Sequence, residues 1–207
     1  MKRLSFFQLV TMTSSVASLL GGCLIKPERV PTRHFVLSPI PAAEHPPTTA
    51  HSLALEVGHV NMPSYLLRDS MVVRKNAQEV AYLETALWAE RLDQSFRHTL
   101  AENLSLLLGS NPAHVSASEH DAEVFRLCVN VLQFDVDTEG RGTLIAAWRL
   151  TAAGADKSIK SGQTGLIRCG PSPRRNPQAI AATLSALHAE FSRDLAQALR
   201  GSAHARE

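Results

Sequence analysis

The sequence predicts an α+β fold, a mainly antiparallel sheet with two amphipathic helices packed on one face. Three observations carry that prediction. Apolar residues alternate at period two through several stretches, as they do on a half-buried strand. Two stretches, 92–109 and 177–201, change to helical spacing and end in glycine. The order is strands, helix, strands, helix, and helices laid on one face of a sheet are the simplest way to bury both.

In chain order, residues 33–37 (RHFVL) form the first strand inside a proline-rich stretch, and Leu53, Leu55 and Val57 alternate as the second, which 58–63 should break. Residues 71–73 and 80–83 flank Lys75, Asn76 and Ala77 as a hairpin. The first helix places Phe96, Leu100, Leu104, Leu107 and Leu108 on one stripe, with Asp93 as its cap and Gly109 as its stop. A meander follows. Phe125, Leu127, Val129 and Val131 share a face, then the apolar set shifts to Leu132, Phe134 and Val136, which predicts a bulge near Val131 or a strand covered on both faces. Leu144, Ala146, Trp148 and Leu150 point inward from the next strand, and 159–169 is the last. Asn176 and Pro177 open the second helix, whose stripe is Ile180, Leu184, Leu187, Phe191, Leu195 and Ala198, and Gly201 should close it.

The N-terminus has a different logic. Lys2 and Arg3 precede an apolar-leaning stretch interrupted by Ser5, Gln8, Thr11 and three further serines, too polar to span a membrane but typical of a secretory signal. It ends in Leu20, Gly21, Gly22 and Cys23, which resembles the bacterial lipoprotein box. That resemblance implies cleavage after Gly22, a thioether-linked diacylglycerol on Cys23 and acylation of its new amino group. Each buried methylene contributes about 0.8 kcal/mol, so two or three chains hold almost irreversibly. Leu24, in place of aspartate, implies sorting to the outer membrane of a Gram-negative envelope, on the periplasmic face. The expected organisation is a signal peptide at 1–22, lipidated cysteine and tether at 23–32, one domain at 33–201 and a tail at 202–207. A tether of about ten residues reaches roughly 30 Å at most, so the domain works close to the membrane.

Charge and composition narrow the functional classes. The chain has 21 Lys+Arg against 19 Asp+Glu, and both excess cations lie in the signal, so the mature chain is balanced. That balance and a 5% aromatic share give no electrostatic or stacking basis for binding nucleic acid. With Cys23 lipidated, Cys128 and Cys169 remain. Reflected through the two turns of the meander, Cys169 falls near residue 137 of the first strand, about nine residues and roughly 30 Å from Cys128. Two separate thiols are therefore expected, with a disulfide as the alternative that would overturn this strand order.

Motifs for catalysis are missing from the sequence: there is no H-E-x-x-H, G-x-S-x-G, Walker loop or C-x-x-C. Gly140 and Gly142 belong to a hairpin turn. His98 with Glu102, and His120 with Glu119 and Asp121, read as solvated contacts rather than a metal site. Arg174 and Arg175 read as a solvated loop pair, and Trp88 and Trp148 as core packing rather than the walls of a ligand groove. No catalytic residue, metal ligand or cofactor is expected beyond the covalent lipid.

The most specific wording runs from Val57 to Leu104: V-G-H-V-N-M-P-S-Y-L-L-R, then M-V-V-R from Met71, W-A-E-R-L-D from Trp88 and L-A-E-N-L from Leu100. It resembles the ABC-type transport auxiliary lipoprotein family, that of paraquat-inducible protein C, over most of the mature chain. Leu67 stands where the family has aspartate and Arg91 where it has proline. The resemblance implies a non-enzymatic accessory of a lipid or hydrophobic-molecule transport system, with an MCE-domain protein and ABC permease components as partners. A conduit partner is also compatible with a ring or other homo-oligomer. The alternative is an envelope enzyme or an activator of a cell-wall enzyme. Tyr65, Leu66 and Arg68 lie in a loop between strands and are the candidate partner-binding residues; the other reading gives them sheet-edge packing with a surface arginine.

Overall fold

The computed structural model describes residues 30–41, 55–109, 125–152 and 158–203. The lipoprotein box at Gly22 and Cys23, most of the tether, Leu53, His120 with its acidic neighbours, the turn at 153–157 and the tail from 204 lie outside these. From Thr32 onward the described residues form one compact unit.

Seven strands make one sheet: β1 (Arg33–Phe35), β2 (Leu55–Asn61), β3 (Ser70–Arg74), β4 (Val80–Trp88), β5 (Phe125–Asp137), β6 (Arg141–Ala152) and β7 (Ser158–Cys169). Two helices, α1 (Leu92–Leu108) and α2 (Pro177–Ala203), complete the α+β architecture. The strand order is β1-β4-β3-β5-β6-β7, with β2 added beside β5.

The sheet is mixed, where the sequence predicts a mainly antiparallel one. β3–β4, β5–β6 and β6–β7 are antiparallel, whereas β1–β4, β2–β5 and β3–β5 run parallel. Alternation of apolar residues is the same in both directions. Strand direction is set by the crossover connections, which neighbouring residues do not encode.

One flank of β5 is shared between two strands. β2 pairs with it from Leu55↔Phe125 to Asn61↔Asn130, and β3 takes over at Val73↔Val136. Gly58 does not end β2, contrary to the expected break at 58–63; the strand continues to Asn61 with a register slip between Val57 and Val60. The bulge expected near Val131 is present, as a register shift between Val131 and Gln133 opposite β6. It turns Leu132 out to solvent, while Val131, Phe134 and Val136 stay in the core.

α1 starts at Arg91 without a side-chain cap. Asp93, expected to be that cap, sits in the first turn and pairs with Arg91 at 3.1 Å. A carboxylate there still interacts favourably with the helix dipole. Gly109 closes the helix in the left-handed conformation (φ 63°), as glycine can without strain. α2 runs through Gly201 to Ala203, past its expected stop. Glycine costs only about 1 kcal/mol in a helix, and the packed turns before it carry the helix on.

The predicted stripes meet in one core. Phe96 is fully buried and makes ring contacts with Phe134 (5.3 Å), His188 (4.3 Å) and Phe191 (5.9 Å), which ties both helices to β5. Leu144, Ala146, Trp148 and Leu150 of β6 are all buried, as is Trp88 at the end of β4. Cys128 pairs across β6 with Arg149, which pairs with Ser161, eight residues from Cys169 along β7. Both thiols are free.

Candidate functional site

Because β2 leaves β5 at Asn130 and β3 joins it only at Val136, the segment between the two strands lies beside the middle of β5. Pro63 begins a short 3-10 turn, Ser64–Leu66, held by N–H donation from Leu66 to Pro63 O (2.9 Å) and from Leu67 to Ser64 O (3.2 Å). The three candidate residues of this loop have separate fates.

Tyr65 points at β5. Its hydroxyl donates to Asp135 Oδ2 at 2.8 Å, and Arg74 Nη2 donates to the Tyr65 oxygen at 3.2 Å. Leu66 is 3% exposed and belongs to the core. Arg68 is exposed, its guanidinium 4.5 Å from the centre of the Tyr82 ring, a cation–π contact; the Tyr82 hydroxyl donates to Tyr65 O at 3.4 Å.

Asp135 is the hub. It is 2% exposed, and its two oxygens accept from Arg74 Nε (3.0 Å to each), Arg74 Nη2 (2.6 Å), Tyr65 and Gln133 Nε2 (2.9 Å). A buried carboxylate is tolerated only when paired and hydrogen-bonded in this way. The hydrogen bonds to Asp135 hold the Arg74 guanidinium even more firmly protonated than usual. Burial, followed by the field of Asp135, pushes the Tyr65 phenol well above its ordinary value, so it remains a donor at any physiological pH. The cluster therefore fixes the loop.

Arg74, Gln133 and Asp135 are missing from the sequence-derived candidates. A signal was present: an acid flanked by Phe134 and Val136 in an apolar strand must find a cation in the fold.

A second buried cluster joins α1, α2 and the segment after β1. His188 Nε2 donates to Phe96 O at 3.1 Å, which leaves Nδ1 to accept from Asn103 Nδ2 at 3.3 Å. Asn103 also donates to Ser192 Oγ (3.0 Å), and its Oδ1 accepts the Ile40 N–H at 2.8 Å. Ser38 N donates to Ser185 Oγ at 3.0 Å. Residues 38–40 are thus strapped across the two helices. Burial pulls the His188 pKa down to about 4, so its imidazole is neutral.

The remaining sequence candidates sit at the surface or in the core. His98 pairs with Glu90 at 3.0 Å rather than with Glu102, because the chain before α1 folds back beside it. Arg174 lies 3.8 Å from Glu139 in an exposed ion pair. An open groove of about 890 Å³ runs along β5, β6 and β7, lined by Arg126, Asn130, Arg149, Ser161 and Gln163 together with Trp148, which is buried as expected but also contributes to the groove wall.

Residues 35–196 match the family model described as ABC-type transport auxiliary lipoprotein component. No curated protein matches the chain. Among solved structures, an uncharacterized protein shares 20% identity at a TM-score of 0.66, covering 82% of this chain and 99% of its own. A Xanthomonas campestris protein shares 15% identity at a TM-score of 0.64, covering 86% of this chain and 98% of its own. At such identities the likeness concerns the fold.

Proposed function

The chain belongs to the ABC-type transport auxiliary lipoprotein family, and from that premise we propose that it is a non-enzymatic accessory of an MCE/ABC-type system that moves lipid or another hydrophobic molecule. It is anchored to the outer membrane through lipid on Cys23, faces the periplasm, and acts by docking to an MCE-domain or permease-associated protein. The observation that carries this reading is the extent of the family match, which runs from Phe35 at the end of β1 to residue 196 within α2.

The interior chemistry agrees with it. Asp135 is saturated by Tyr65, Arg74 and Gln133, and His188 is buried and neutral, so the two polar clusters hold the fold and the loop. No helix among the described residues is long and apolar enough to cross a membrane, and a lipid on Cys23 supplies the attachment. In this reading Arg68, exposed on a loop that Tyr65 pins from below, is a contact residue, and Leu66 sets the loop's height from the core.

Co-purification from native membranes tests the proposal. The lipidated chain should bring down an MCE-domain or ABC permease protein identified by mass spectrometry, and deletion of its gene should disturb outer-membrane lipid asymmetry. Recovery of neither protein, with unchanged asymmetry, would sink it.

A further inference from the structure

β7 ends the strand order, and among the described residues no strand lies beyond it. Twelve residues of backbone thus form a free edge, which natural sheets ordinarily blunt with charge, proline or a bulge. Here charge and irregularity are confined to its two ends, Lys160 beside a register shift at one and Arg168 at the other. Its pairing with β6 is unbroken from Cys169 to Lys160, it has no proline, and Ser161, Gln163, Gly165 and Ile167 on its outer face are uncharged. Ile167 is 68% exposed.

The charges carried by the last two strands all have one sign. β6 and β7 carry Arg141, Arg149, Lys160 and Arg168 and no acid, although the mature chain is balanced. Lys160 donates to Ala198 O at the end of α2, and Arg168 lies 3.9 Å from Glu190. Arg141 and Arg149 are exposed and have no ion-pair partner among the described residues.

We propose that the β7 edge is the docking strand for an extended acidic segment of a protein partner, which adds to the sheet as a further strand. Resting on the reading that this chain works by protein contact, the inference adds a second contact surface, separate from the Arg68 loop beside β4. Backbone pairing to β7 supplies affinity, and side chains on alternate positions supply selectivity. The register locates the acids. Arg149 is paired with Ser161 and Arg141 with Cys169. A residue opposite Ser161 on the added strand is two strand spacings, about 10 Å, from Arg149, with only a small side chain between them. The same holds for Arg141 across Cys169. The two positions are eight residues apart and so share a face. Midway, a Cβ at Gly165 would meet nothing within 4 Å, which leaves room for a bulky partner side chain.

Charge selects this occupant. A second copy would set cation against cation whether it presented its own β7 or its other end strand, β1, which carries exposed Arg33. A lipid headgroup could neutralise the arginines but could not pair with the β7 backbone.

The test compares the lipidated wild-type chain with Arg141→Glu/Arg149→Glu and Arg141→Lys/Arg149→Lys, each purified from native membranes with its transport partner, and follows amide hydrogen exchange. In the wild-type complex, β7 amides should exchange at least tenfold more slowly than in the free chain, while β1 amides are unchanged. The glutamate variant should recover at least tenfold less partner, and the lysine variant should retain most of it. If the wild type recovers its partner with β7 unprotected, or the glutamate variant recovers as much, the docking strand is wrong and the transport reading stands. If the wild type recovers none, both fall. Protection of β7 by phosphatidylglycerol vesicles alone would overturn the proposal in favour of the membrane, and protection with doubled mass and no partner would overturn it in favour of a second copy.

Discussion

The Tyr65 hydroxyl meets Asp135 Oδ2 at 2.8 Å across seventy positions of sequence, and this bond fixes the loop between β2 and β3 to the last part of β5. The core contact of Leu66, the cation–π contact of Arg68 with Tyr82 and the Tyr82 hydroxyl on Tyr65 O hold the same loop from its other side.

Removing the hub should cost more than removing the phenol. Asp135→Ala leaves Arg74 half-buried and uncompensated, and about 3 kcal/mol of stability should be lost. Tyr65→Phe deletes two hydrogen bonds, to Asp135 and from Arg74, but leaves those two paired with each other, and should cost about 1.5 kcal/mol. Urea unfolding of the two variants checks the order. Equal losses would mean that Asp135 does not anchor Arg74.

Stability should depend on pH through His188. Its folded pKa of about 4 lies below the unfolded value of 6.5, so between these values the unfolded chain holds more protons. The contribution of neutral His188 is therefore present in full above pH 6.5 and lost as pH falls toward 4, amounting to about 3 kcal/mol across the window. Unfolding free energies at pH 5 and 7.5 should differ in that direction, and His188→Leu should flatten the difference.

Gly170 faces α2 with no room for a side chain. A Cβ there would lie 2.1 Å from Thr183 Oγ1, a buried hydroxyl without a hydrogen-bond partner. Gly170→Ala should destabilise by about 2 kcal/mol through overpacking. Thr183→Ala alone should be nearly neutral, and the double variant should recover most of the loss. Additive melting shifts in the three proteins would rule out the steric account.

Phe96→Ala should be the most damaging of the core truncations, at about 4 kcal/mol, because it removes three ring contacts at once. Circular dichroism melts provide the comparison, with Leu108→Ala, at the last position of α1, as the milder reference.

For the anchor, Cys23→Ser should accumulate as an unprocessed precursor in cells, read by mass spectrometry. Normal maturation of that variant would refute lipidation.

Much of the domain is legible along the chain. The stripe from Phe96 to Leu108, the inward set of β6 and the bulge after Val131 are local patterns, and burial enforces each one directly. Tyr65 also stands out locally, since it lies in a motif next to Pro63. Its partners do not, because Arg74 and Asp135 are ordinary charged residues until β3 and β5 are placed side by side.

By itself, then, the sequence determines the elements, the apolar faces and, through the motif of Tyr65 and Leu66, the family, because each depends on spacing within a few turns or strand residues. Only the tertiary structure decides that the sheet is mixed, that Asp135 closes on Tyr65 and Arg74, that His188 is sealed between the helices, and that cationic β7 is left as an edge. Those outcomes depend on which distant strands become neighbours, and crossovers settle that by burying the whole core at once.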